Sequence, residues 1–108
     1  MFARLGIADA MKGKARKIPA TPVGEIVARG EAEIGLQQIS ELKPVPGIDI
    51  VGPLPPELQK ITVFSAGIAT VSQQPEAGKA LIQFLASPAA TRAIVDSGLE
   101  PIAAGTTN

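Results

Sequence analysis

The run Gly52-Pro53-Leu54-Pro55-Pro56 lets no helix pass, because proline lacks the N–H of the helical ladder and its ring collides with the preceding turn. Everything on either side is therefore built from short elements. Pro44, Pro46 and Gly47 impose a second interruption. Only Ile48-Asp49-Ile50-Val51 lies between the two, and this β-branched run reads as a brief strand.

Upstream, the stretch from Arg29 to Leu42 packs a helix stop, a short strand and a polar loop into consecutive residues. Val23, Ile26 and Val27 recur at helical spacing, and Gly30 closes that helix in the left-handed conformation that glycine adopts cheaply. Thr21-Pro22 reads as an N-cap followed by proline at the first helical position, so the helix is expected over residues 22–29. Ile34 and Leu36 then alternate with small or polar residues, as in a buried strand. Gln37, Gln38 and Ser40 follow at its C-terminal end, where open α/β sheets place their ligands. An ordinary polar turn accounts for the same residues, and both readings stand on the sequence.

Elsewhere the periods are clearer. Phe2, Leu5 and the alanines to Met11 suit a short helix ended by Gly13, and residues 16–19 read as an entering strand. Residues 61–71 form the longest extended candidate, with Thr62, Phe64, Ala66, Ile68 and Thr70 on one face and Ile61, Val63, Ser65, Gly67, Ala69 and Val71 on the other. From Pro75, the stripe Ala77, Ala80, Leu81, Phe84, Leu85 specifies a helix that packs on a sheet or on another helix. Ser87-Pro88 repeats the cap-plus-proline signal and starts a final helix, which Gly98 ends. The tail, residues 103–108, is expected to fray.

Composition excludes several classes. A chain of 108 residues with 45% apolar content has room for one compact domain and a modest core. No window approaches the roughly 18 apolar residues of a spanning helix, so no membrane insertion is expected. Met1-Phe2-Ala3-Arg4 lacks the order of a secretory signal; a periplasmic parent would carry its signal outside this chain, which as it stands would be cytoplasmic. Ten basic residues balance ten acidic ones, but residues 1–30 hold six basic and two acidic. Lys12, Lys14, Arg16 and Lys17 have no interleaved aromatics for base stacking, so no nucleic-acid partner is expected and a solvated loop is the reading.

With no Cys and no His, thiolate catalysis, the usual zinc sites and Ser-His-Asp arrangements are ruled out. Lys12-Gly13-Lys14-Ala15 fails the phosphate-loop pattern at Ala8 and at Ala15. Glu31, Glu33 and Glu41 read as surface charges. The expectation is a chain that is no enzyme and carries no cofactor and no metal.

The series Gly30-Glu31-Ala32-Glu33-Ile34-Gly35, Ser40-Glu41-Leu42, Val51-Gly52-Pro53-Leu54-Pro55, the 61–71 run and Phe84-Leu85-Ala86-Ser87-Pro88-Ala89-Ala90 resembles the C-terminal part of molybdate-binding-type, type II periplasmic solute-binding proteins of ABC transporters. The resemblance extends from about Leu5 to Pro101. It implies an α/β fragment of the type II periplasmic-binding-protein fold, a short sheet with flanking helices. Residues 1–62 would be the later part of lobe two, and residues 63–108 a hinge strand with C-terminal helices returning to lobe one.

By the same resemblance Ala20 and Thr21 bring backbone N–H groups to a ligand at a helix N-terminus, where dipole and unpaired donors favour an anion. Gln38 stands where the molybdate binders carry a ligand-facing tyrosine, which puts molybdate itself in doubt; it either donates an amide hydrogen bond or is a solvated loop residue. Family members are more than twice this length, so the resemblance further implies a truncated solute-binding component of an ABC importer. Its small anionic solute would be bound weakly by the fragment, and its full-length parent would dock on a permease. The alternative is a self-associating interaction module derived from that fold. In either case a homodimer is expected, since Leu81, Phe84, Leu85 and Ile94 need a partner surface and an exposed long strand edge at residues 61–71 invites pairing with another chain.

Overall fold

The computed structural model describes residues 1–102; the expectation of a frayed tail at 103–108 lies outside them. Five α-helices follow one another: α1 Ala8–Met11, α2 Val23–Ala28, α3 Ile39–Leu42, α4 Pro75–Leu85 and α5 Pro88–Asp96, with a 3-10 turn at Pro56–Leu58 between α3 and α4. Two compact units divide the chain, Met1–Ile61 and Thr62–Asn108.

The expected sheet is absent. Among the described residues there is no strand, and this corrects the reading of residues 16–19, 34–36, 48–51 and 61–71 as strands of a short sheet with flanking helices. A strand exists only as one member of a hydrogen-bonded ladder, and none of these four segments has a ladder partner among the described residues. Apolar alternation identifies residues able to be strands; it does not supply the neighbour.

In the first unit, α2 is the centre. Ile26 and Gly24 are its buried residues, and α2 makes contacts with α3. Gly24 admits the side chains of Val45 and Ile48: a methyl group there would lie 3.1 Å from each. Gly35 passes still closer, since a methyl on it would sit 2.5 Å from Val23 Cγ1 and 2.9 Å from Val27 Cγ2. Only glycine lets that backbone run so near the helix. The helix ends as the sequence specifies. Gly30 has φ +75°, its N–H donates to Val27 O at 2.9 Å, and the Glu31 N–H donates to Ile26 O at 3.1 Å, the paired bonds of a Schellman motif. The start is displaced by one residue. Pro22 occupies the capping position with φ −54° and ψ 128°, and Thr21 makes no side-chain cap.

In the second unit, α4 and α5 pack on each other across the Ala86-Ser87 link. Both begin with proline in the first turn. The Ser87 hydroxyl donates backwards to Phe84 O, so it closes α4 and does not cap α5. The helix α5 repeats the ending of α2: Gly98 has φ +92°, and the N–H groups of Gly98 and Leu99 donate to Val95 O and Ile94 O.

Ile26 and Ala90 are the buried apolar side chains among the described residues. The stripe of α4 meets no sheet, and Leu81, Phe84 and Leu85 stay about half exposed.

Candidate functional site

The N-terminus of α2 is where the predicted site residues can be tested against geometry. Ala20 is exposed and Thr21 half-buried, both in the bend that leads into Pro22. The first helical N–H, that of Val23, has no local cap and is met from a distance: it donates to Oε1 of Gln37 at 2.9 Å, across fourteen residues of sequence, in a half-buried position. This contact joins the polar segment after residue 36 to the helix start. It also fixes the Gln37 amide, whose Nε2 donor has no protein partner among the described residues.

Gln38 takes a different role. It is exposed, adopts an extended backbone (φ −61°, ψ 141°) and occupies the capping position of α3, its carbonyl accepting from the N–H groups of Glu41 and Leu42 at 3.0 and 3.2 Å. The polar loop expected at residues 37–40 is thus half a helix start. Gln37, which sequence reasoning placed with Gln38 and Ser40 on the ligand side of a strand, instead caps α2 from a distance, and local sequence holds no signal for that bond, since its partner is set by tertiary packing of α2 against the segment holding Gly35.

Charge around this end is sparse and solvated. Arg16 and Lys17, the cations just before Ala20, are separated by Ile18 and Pro19 from it, and Arg16 and Lys17 are exposed. At the opposite end of α2, Arg29 pairs with Glu31 at 2.8 Å, both side chains about half exposed. Arg4 Nη1 donates to Glu57 O at 2.7 Å and so ties the N-terminal turn to the 3-10 turn. Among the described residues no group of three or more acidic side chains is placed to hold a metal ion, and no helix is long and apolar enough to cross a membrane. What the α2 start offers chemically is hydrogen bonding from neutral donors.

A second concavity lies in the other unit. It is an open apolar depression of about 280 Å³ between residues 66–69 and α4, lined by Ile68, Ser72, Gly78, Leu81, Ile82 and Leu85 among others. Ile68 lies over Gly78, where a methyl group would come within 3.4 Å of its Cγ1. Ser72 brings the one side-chain hydroxyl to that wall, and it already accepts from the Gln74 N–H at 3.1 Å.

The sequence matches the family model described as bacterial extracellular solute-binding protein over residues 1–100. It is 55% identical over 104 residues to a protein named aconitate isomerase from Pseudomonas sp.. That alignment covers 96% of this chain and 40% of the relative, so the chain spans well under half the length of the protein it matches. No solved structure matches. A relative named as an isomerase overturns the expectation that such a chain is no enzyme: the missing His and Cys remove particular mechanisms and leave others open. The molybdate-specific resemblance reduces to its broader form, and on a match over residues 1–100 the chain belongs to the bacterial extracellular solute-binding protein family.

Proposed function

We propose that this chain forms one wall of a carboxylate-binding cleft in a protein of the aconitate isomerase kind. The observation that carries the reading is the 55% identity over 96% of the chain. In this reading the unit Met1–Ile61 belongs to one lobe, and the unit Thr62–Asn108 carries the crossing segment and helices that return to the other.

The chemistry of the α2 start supports the choice of ligand class. Aconitate is a tricarboxylate, and carboxylate oxygens accept well from unpaired backbone N–H groups at a helix start and from amide N–H donors. Ala20 and Thr21 supply the backbone donors in this reading, Gln38 an exposed amide, and Gln37 a second amide already oriented by its bond to Val23. Arg16 and Lys17 add positive charge on the same side of the sequence. Isomerisation is then the work of the whole protein, with this wall binding and orienting the carboxylates.

The second reading is solute capture without conversion: a binding component of an ABC importer, periplasmic in its parent form, taking aconitate or another small oxyanion and delivering it to a permease. The family's own description, solute-binding, favours it. One experiment separates the two. The segment is exchanged into the corresponding stretch of the relative, and the product is incubated with one aconitate isomer and followed by proton NMR. Appearance of the other isomer is the expected result. Aconitate binding by calorimetry with no conversion overturns the isomerase reading in favour of capture, and absence of binding overturns both.

A further inference from the structure

The helix α4 carries more apolar surface than its own unit covers. Counted at about 100° per residue, its apolar positions fill an arc of about 200°, from Ala80 through Phe84, Leu81 and Leu85 to Ile82, while Glu76, Lys79 and Gln83 share the rest. A helix that lies on a single layer needs a stripe only about half as wide. The arc divides in two. Gly78 and Ile82 are half-buried on the side of residues 66–69, where Ile68 lies over Gly78. Ala77, Ala80, Leu81 and Phe84 stay exposed even with α5 packed against α4. Such a helix belongs between two layers, and the second is missing among the described residues.

The unit Thr62–Asn108 has few other means of holding together. Chains approaching about 40 residues generally need a disulfide, a metal or a partner to fold. This one has no cysteine, and among the described residues it has no acidic cluster able to hold a metal and a single buried apolar side chain, Ala90. Burial against further protein is what remains. The relative has the length to provide it: the alignment covers 96% of this chain but 40% of that protein, so more than half of the relative lies outside. A second copy would bring only a duplicate of the uncovered face.

We infer that the exposed half of α4 is a docking surface for that outlying part of the relative, and that the two pieces assemble one to one, without a covalent link, when made as separate chains. The partner surface is apolar where it receives Phe84 and Leu81 and polar at the border that meets Lys79 and Gln83. The inference shares its alignment with the proposed function but uses no residue of the α2 start.

Co-expression tests it. The 108-residue protein carries an affinity tag, the stretch of the relative outside the alignment is untagged, and the purified material is identified by mass spectrometry and weighed by light scattering. One copy of each chain is the expected complex. Ala80→Glu puts a charge in the exposed half while keeping a good helix former, and Phe84→Asp replaces its largest side chain by a charge; each should weaken association about a hundredfold or more. Gln83→Glu, on the polar face, should leave it unchanged. Helical circular dichroism of the 108-residue protein shows whether Phe84→Asp leaves α4 and α5 folded, and Ala80→Glu decides the matter if it does not. Recovery of the tagged chain alone, a dimer of the tagged chain in place of the mixed complex, or a mixed complex indifferent to Ala80→Glu would each overturn the inference. A mixed complex that is sensitive to Ala80→Glu and does not convert aconitate supports the docking and counts against the isomerase reading alone.

Discussion

Gln37 and Gly35 serve the same helix in opposite ways, one by reaching it and one by having nothing that would touch it. Replacing Gln37 with Ala leaves the Val23 N–H without its acceptor, and a lost hydrogen bond of this kind costs about 0.5 to 1.5 kcal/mol. Gln38→Ala, which removes an exposed side chain and leaves the capping carbonyl in place, should stay within about 0.5 kcal/mol. Urea midpoints of the two variants give the difference directly. Gly35→Ala should cost more, about 1 to 3 kcal/mol, because the new methyl meets Val23 and Val27, whose branched side chains have little freedom to turn aside. The same measurement checks it: a midpoint equal to wild type would mean that the segment is free to lift off α2. Sequence reasoning marked Ala20, Thr21 and Gln38 around this helix start and placed Gln37 in the ligand-side loop with no part in the helix. The reason is physical: a side chain that acts across fourteen residues leaves no trace in local spacing.

At the level of elements, what was legible is what is local. The starts and ends of α4 and α5 follow from Pro75, Ser87-Pro88 and Gly98, and the end of α2 from Gly30, because proline and left-handed glycine act through their own backbone. Helix α3 lay hidden in a stretch that also reads as a polar loop, its four residues too few to show a period. The four strands failed together, since each required a partner that periodicity cannot provide. Burial sorts the expected mutational costs in the same way. Ile26 is 6% exposed and its change to Ala should cost about 2 to 4 kcal/mol, whereas Leu81, 58% exposed, should lose only about 1 kcal/mol in the monomeric chain. Guanidinium unfolding monitored by helical circular dichroism, at a concentration where the mass is that of one chain, would contradict this ranking if Leu81→Ala proved the more damaging.

For the whole molecule, the ledger of donors limits binding. In the proposed reading one wall supplies the N–H groups near Thr21 and two amides, and each charge-assisted hydrogen bond missing from an opposite wall weakens binding by about 1.5 to 3 kcal/mol. Two such losses move a micromolar site to the millimolar range or beyond. Calorimetry with this chain alone should therefore find no tight binding of aconitate, molybdate, tungstate, sulfate or phosphate, and a micromolar constant abolished by Gln37→Ala would show that a complete cleft forms without the remainder of the relative's length. The link Ala86-Ser87 between α4 and α5 bears on time as well as on shape. Two helices joined by so short a connection meet with little loss of chain freedom, and loop closure and helix growth on this scale take about a microsecond or less. A hairpin that closes on that timescale forms before any contact that has to be found by diffusion between molecules.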